Sequence, residues 1–394
     1  MLIETFLGRT TSQAYQYGTQ HKLVKTRNGA IYAFDILYNS QDSVYRKSVN
    51  GGLSWGNPVT IKSGQTGYLS VWYDEWSNIS TELIHITYSD VATTNDVFYK
   101  NLDTSSDTLS GETTIFAGAS IATGGYVSIC RARGGNLGCI YCIDAGAEHG
   151  FSTSTDVGAN WVAKSSPTEG ATTDQWILLP GWAADNQDMI CIFWDASVDE
   201  ISRKNYDSSG NSWATDAENV FATGMVDLTA FTASANFSAA VDIANSQNVL
   251  VAWSATDTAN ADLRCWTITE ASITEKTNVV LNSTDDQGLC SIQISTSDNV
   301  WTCFYCGKSD GSETWGATYG TRTYYKYSTD SGTTWSDETL FSHGTTTNSG
   351  RINKLLCACP RVYSGMSLLN VDGTPYMWYS TLLVGARPTC RIGV

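Results

Sequence analysis

One turn signature recurs along this chain at related spacings. It reads Ser48-Val49-Asn50-Gly51-Gly52-Leu53-Ser54-Trp55, then Ser154-Thr155-Asp156-Val157-Gly158-Ala159-Asn160-Trp161, then Ser328-Thr329-Asp330-Ser331-Gly332-Thr333-Thr334-Trp335. A looser copy, Tyr206-Asp207-Ser208-Ser209-Gly210-Asn211-Ser212-Trp213, lies between the second and third. The four tryptophans stand 106, 52 and 122 residues apart, or two periods, one period and two longer periods. A unit of about 52–61 residues is too long for a leucine-rich, ankyrin or tetratricopeptide repeat and suits a four-stranded sheet with generous loops.

Each copy follows a strand-like stretch (44–47, 150–153 or 324–327), and a short apolar segment such as Val59-Thr60-Ile61 comes after it. That is a hairpin with the signature in its turn. The Asp or Asn side chain folds back onto main-chain N–H groups, and the Gly accepts a positive φ at no steric cost. The Trp arrives as the next strand begins, and its ring is expected to be buried over the turn.

The residues Ser48, Asn50, Gly52 and Trp55, Ser154, Asp156, Gly158 and Trp161, Gly210 and Trp213, and Ser328, Asp330, Gly332 and Trp335 together resemble the Asp box, or BNR repeat, of sialidases and other β-propellers. The resemblance spans units from about residue 22 to 342. It implies a turn joining the third and fourth strands of each blade on the outer rim, structural and away from any active centre. Departures are Asn50 in the Asp position, Asn160 in the usual Thr position, and Tyr206 and Ser208 where Ser and Asp belong. The box identifies a fold and says little about chemistry.

The repeats run without a linker, so residues 1–394 read as a single all-β propeller domain. Thr, Ser, Tyr and Trp are abundant and helix-forming runs are nearly absent, as such a chain requires. Strands are expected for six blades between residues 21 and 341, with 219–221 and 277–281 as the outer strands of the fourth and fifth. Segments 353–359, 366–369 and 376–382 supply most of a seventh, with 2–7 as its fourth strand joining both termini and hiding two edges. Seven four-stranded antiparallel blades are favoured, with six as the alternative. Alternation of apolar and polar residues is clearest in central strands such as Leu83-Ile84-His85-Ile86-Thr87-Tyr88.

The 39 acidic and 23 basic residues give a net charge of −16, which argues against a nucleic-acid partner. A glycan or a protein surface remains. Residues 1–7 lack the pattern of a signal peptide, and no 18-residue apolar run is present for membrane insertion. The expected location is therefore a virion or other assembly exported without classical secretion, or otherwise the cytoplasm. Eleven cysteines include two CxxC pairs, Cys139/Cys142 and Cys303/Cys306. Residues i and i+3 of a strand point to opposite faces, so buried thiols are expected rather than a metal site. No cofactor is called for; a structural calcium ion is allowed.

The sialidase resemblance implies three arginines for a substrate carboxylate, a Tyr/Glu nucleophile pair and an Asp acid/base. No residue carries over directly: the stretch matching the first inner strand reads Gly18-Thr19-Gln20-His21-Lys22-Leu23. Arg131, Arg133 and Arg361, with Tyr363, could still meet at the channel, and Asp35, Asp74, Glu75 and Asp195 follow apolar strand segments as candidate paired carboxyls. Salt bridges and solvated loop ends are the plainer reading of both sets. Aromatic rings beside Asp and Asn acceptors mark sugar-binding surfaces, and Trp72, Tyr73, Trp76, Trp182, Trp315 and Tyr319 are the candidates. The expected function is a non-catalytic recognition or structural propeller for glycans. A sialidase-like glycoside hydrolase and an intracellular protein-binding scaffold are the alternatives.

Overall fold

Short runs of β-branched and aromatic residues alternate with Gly, Asn, Asp and Ser turns, a pattern that pairs neighbours into hairpins. Every described element of the computed structural model is accordingly a strand. The structure describes residues 2–9, 21–73, 82–90, 96–117, 127–143, 148–167, 175–195, 200–214, 222–223, 237–255, 261–281, 288–295, 298–310, 323–341, 350–353, 355–357, 362–371 and 374–383. Six sheets are each built on four strands running inner to outer in chain order, and Thr108–Leu109 and Ala222–Thr223 pair additionally with the third strands of the second and fourth. The first blade is Leu23–Lys25, Ile31–Ile36, Ser43–Ser48 and Val59–Lys62, and the second is Thr66–Tyr73, Leu83–Asp90, Val97–Asp103 and Thr113–Phe116. The third is Val127–Arg131, Leu137–Ile143, Glu148–Ser154 and Val162–Ala163, and the fourth is Gln175–Pro180, Met189–Asp195, Glu200–Asp207 and Ser212–Trp213. Phe237–Asp242, Gln247–Ala255, Ala261–Ile268 and Ile273–Glu275 form the fifth, and Gly288–Ile294, Trp301–Cys306, Thr323–Ser328 and Thr339–Leu340 the sixth.

The strands expected as a seventh blade do meet in a sheet, in the order Leu2–Arg9, Thr374–Leu383, Val362–Val371, Gly350–Asn353. Leu2 lies opposite Leu382 and Arg9 opposite Tyr376, so the two ends of the chain pair as anticipated. The intended inner strand is divided, however. Gly350–Asn353 pairs with Val362–Val371, while Leu355–Cys357 lies parallel to Leu23–Lys25 in the first blade's sheet. The propeller thus has six blades of consecutive strands, not the favoured seven, and a separate sheet made from both ends. Two outer strands also start earlier than expected. In the fourth blade Ser212–Trp213 pairs with one end of Glu200–Asp207 and Ala222–Thr223, next to the expected 219–221, with the other end; 219–221 themselves lie outside the described residues. In the fifth, a tight turn from Thr269 to Ser272 starts the strand at once, and the expected 277–281 contributes only a bridge from Val280 to Leu263.

Blades are sandwiched between neighbours, so their central strands are buried on both faces. Alternating residue type therefore does not mean alternating burial: from Ile84 to Ser89 every residue is buried. The polar members bond within the sheet. Thr87 Oγ1 donates to Phe98 O at 3.1 Å, and His85 Nδ1 lies 2.7 Å from Tyr99 Oη. Tyr99 donates its own proton to Val157 O in the next blade, so the imidazole proton is on Nδ1. Inner strands are stitched across blades by Leu178 N to Ser128 Oγ at 3.0 Å and Ile292 N to Ser238 Oγ at 3.2 Å. Cys130, Cys139, Cys142, Cys191, Cys265, Cys290, Cys303 and Cys306 are buried, and none of these is in a disulfide. Cys139 and Cys303 join apolar clusters between blades, while Cys306 approaches Thr323 within its own sheet.

The three strong turns share one geometry. The Ser hydroxyl accepts the Gly N–H at 2.8, 2.8 and 2.9 Å in Ser48/Gly52, Ser154/Gly158 and Ser328/Gly332. It also donates to Asn50, Asp156 or Asp330, whose Oδ1 accepts the N–H four residues on. Two consecutive positive φ angles close each turn, at 51/52, 157/158 and 331/332. The fourth copy is a different turn. Asp207, not Ser208, accepts from Ser209 and Gly210, and the positive φ falls on Asn211 instead of Gly210. The second blade builds the same alternative, with Asp103 capping Ser105 and a positive φ at Asp107.

Candidate functional site

Antiparallel order places the links between first and second strands, and between third and fourth, at one end of every blade. Links between second and third strands, and between blades, emerge at the other end. A six-residue strand is about 20 Å long, so this arrangement separates the candidate residues into two groups.

At the end carrying the repeated turns, polar side chains tie one blade to the next. Arg133 Nε donates to Gly181 O at 2.6 Å, Nη2 donates to Ala183 O, and the guanidinium lies 5.3 Å from the Trp182 ring centre. Trp182 N donates to Glu270 Oε1 of the fifth blade, and Glu270 O accepts from Arg203 Nη2 at 2.9 Å. Asn245 of the fifth blade reaches Ser331 in the sixth blade's turn at 3.2 Å. Arg131 is buried, donates to Gly135 O at 3.0 Å in its own turn, and has its pKa drawn down by burial. The candidates Arg131, Arg133 and Trp182 are therefore committed to holding blades and turns.

Trp72 and Tyr73, expected as binding-loop residues, are core. Trp72 is 3% exposed and stacks on His21, and Tyr73 Oη accepts the Arg27 N–H at 3.1 Å. Burial is also what pushes the Tyr73 phenol above its ordinary pKa. His85 is pulled down to about 3 by burial and stays neutral over the physiological range.

At the opposite end the first blade gathers charge and an exposed ring. Asp35 is fully buried; its Oδ1 accepts the Ile36 N–H at 2.7 Å and its Oδ2 stands 3.7 Å from Arg46 Nη1. Lys22, equally buried, is brought down to about 7 by desolvation, with the Asp35 charge acting in the other direction. Above them Tyr38 is 45% exposed in the turn Tyr38-Asn39-Ser40-Gln41-Asp42. Asp42 Oδ1 accepts the Gly64 N–H at 2.5 Å, and Gln41 has φ 54°. Sequence reasoning missed both Tyr38 and Lys22. The turn residues flanking the tyrosine were a signal, whereas nothing local marks a lysine for burial.

Asp195 ends the fourth blade's second strand at this same end, opposite Glu200. Tyr363 lies in Val362–Val371, opposite Leu382. Asp74, Glu75, Trp76, Trp315, Tyr319 and Arg361 lie outside the described residues. Among the described residues, the candidate arginines and the candidate carboxyls Asp35 and Asp195 stand at opposite blade ends. No described group of three or more His, Cys, Asp or Glu side chains is placed to hold a metal ion.

The fold and this arrangement define an all-β propeller of four-stranded antiparallel blades. No protein-family model and no curated protein matches the chain. Solved structures do resemble it at low identity. The polysaccharide lyase Uly1 gives a TM-score of 0.51 at 9% identity, covering 95% of this chain and 93% of that one. The S. cerevisiae core factor gives 0.51 at 8% identity, over 97% of this chain and 60% of that one. A Hadza microbial sialidase, Hz136, gives 0.46 at 11% identity over 92% of this chain, which spans 65% of the sialidase's length.

Proposed function

We propose that this chain is a glycan-recognition propeller that binds without turnover, through the blade ends opposite its repeated turns. The observation that carries the reading is an exposed aromatic ring among polar residues at the end opposite the repeated turns. The turn end is occupied by inter-blade bonds from Arg133, Trp182, Glu270 and Asn245, whereas the other end presents Tyr38 among Asn39 and Ser40. A flat ring beside amide and hydroxyl groups suits a sugar face. A fold shared with a polysaccharide lyase agrees with a carbohydrate ligand. We also infer that the three repeated turns are Asp boxes of the sialidase type, which accords with their structural place.

A glycan array run beside a panel of fluorogenic glycosides tests the reading. Saturable binding without turnover is expected. Turnover would make the protein a glycoside hydrolase, and binding to no glycan at all would leave the protein-scaffold alternative. Tyr38→Ala is expected to weaken binding by about 1–3 kcal/mol, by analogy with aromatic stacking on nucleobases, with the melting temperature unchanged. A loss of stability in step with binding would show that the ring is packing, not platform.

A further inference from the structure

Three charged side chains are buried together in the first blade. Lys22 leads into the inner strand Leu23–Lys25, Asp35 lies on the second strand and Arg46 on the third, and none is more than 8% exposed. The same inner strand takes up Leu355–Cys357 in parallel. Its lead-in also receives the second blade, through Val71 N donating to His21 O at 3.0 Å. The charges therefore sit at a seam where the C-terminal part of the chain and the second blade both attach.

Of the titratable and charged groups on the elements around Lys22, the neighbouring strands carry Tyr32, Asp35, Tyr45, Arg46 and Lys47, of which Asp35 is the one carboxylate, and its own segment carries His21 and Lys25. The second blade's inner strand, Thr66–Tyr73, brings the phenols of Tyr68 and Tyr73 and no carboxylate. Leu355–Cys357 contains no charged residue. Arg46 already stands in ion-pair range of Asp35. A charged Lys22 makes a second cation in the field of that carboxylate, in a place water does not reach.

We propose that Lys22, Asp35 and Arg46 form a proton-sensitive latch on this seam, closed when Lys22 is neutral and loosened when it is charged. Burial agrees with this, since it brings the lysine from 10.5 to about 7. In an opened seam the amine returns to about 10.4. The open form therefore binds more protons between roughly pH 7 and 10, and the closed form gains stability as pH rises through that window. Below about 7 the gain is gone, because both forms are charged. One proton corresponds to about a tenfold fall in the opening equilibrium per pH unit.

Amide hydrogen exchange on the whole protein between pH 7 and 10, corrected for intrinsic rates, tests the latch. Amides of Ile31–Ile36 should gain close to tenfold protection per pH unit, and those of Gln247–Ala255 in the fifth blade should not. Lys22→Met should remove the slope. A first blade without the slope in the wild-type protein overturns the proposal, as does an equal slope in both blades or its survival in K22M. Should K22M fail to fold, the wild-type comparison between blades decides alone.

Discussion

Two glycines with the same backbone conformation make a controlled comparison at the scale of single residues. Gly158 has φ +86° and Gly29 φ +87°, but a Cβ on Gly158 would overlap the Tyr99 ring while one on Gly29 meets nothing within 4 Å. Gly29→Ala should therefore cost only the left-handed backbone penalty, about 1–2 kcal/mol. Gly158→Ala should add an overpacking term and reach about 2–5 kcal/mol. Denaturant unfolding of both variants measures the difference, and equal losses would show that Tyr99 yields. Asp330 gives a second residue-scale test. Thr334 and Ser328 donate to its carboxylate and hold it down to about 2. A lowered carboxylate pKa means stability present above the unfolded value near 4 and lost as pH falls through about 2. Asn50 shows how an amide serves instead, by donating Nδ2–H to Ser54 Oγ at 2.8 Å. Asp330→Asn should accordingly keep the turn, with Thr334 as acceptor, and lose its acid sensitivity, whereas Asp330→Ala should lower Tm by roughly 1–3 °C at neutral pH.

At the scale of the element, the turns explain what was legible in the sequence. Ser48, Asp156 and Gly332 each have a role set by residues within four positions, so residue type and spacing suffice to place them. Gly210 and Trp213 matched that spacing, yet the capping is done by Asp207, one place earlier than the pattern requires. Only the hydrogen bonds separate the two turn types. Trp335 refines another expectation: its ring is half-buried against the apolar cluster of the fifth and sixth blades, whereas that of Trp213 is buried. It reaches the preceding blade, where Nε1 donates to Thr277 O at 2.9 Å, and Thr277 Oγ1 returns a bond to Thr333 O at 2.7 Å. Trp213 does likewise to Ser165 O at 2.7 Å. These tryptophans fasten a turn to the neighbouring blade, a role that sequence cannot show because the partner is some 50 residues away. Trp335→Ala should then cost about 1–3 kcal/mol, for a half-buried ring and one hydrogen bond. Trp335→Phe should recover the packing part alone, and a loss near zero in both would mean that the turn holds without its anchor.

The charge cluster and the closing sheet exist only at the scale of the whole molecule. Asp35 was suspected from its place after an apolar strand, but Lys22 became relevant only when the fold buried it beside that carboxylate. The pairing of the two ends, by contrast, was legible, because Leu2-Ile3-Glu4-Thr5-Phe6-Leu7 has strand character and an unpaired edge needs a partner. Leu2–Arg9 pairs along most of Thr374–Leu383, with a register shift between Phe6 and Gly8. Removing residues 1–10 would leave Thr374–Leu383 as a bare edge offering unpaired N–H and C=O groups to other chains. The expected outcome is a lower Tm and concentration-dependent aggregation, both reversed by a synthetic peptide of residues 1–10 added in excess. A substitution disrupting the strand should act in the same direction but less strongly: Thr5→Pro sets a proline in the strand opposite Tyr379. Unchanged melting and a monomeric truncated protein would show that the sheet joining the two ends is dispensable, and that the six blades hold the ring closed by themselves.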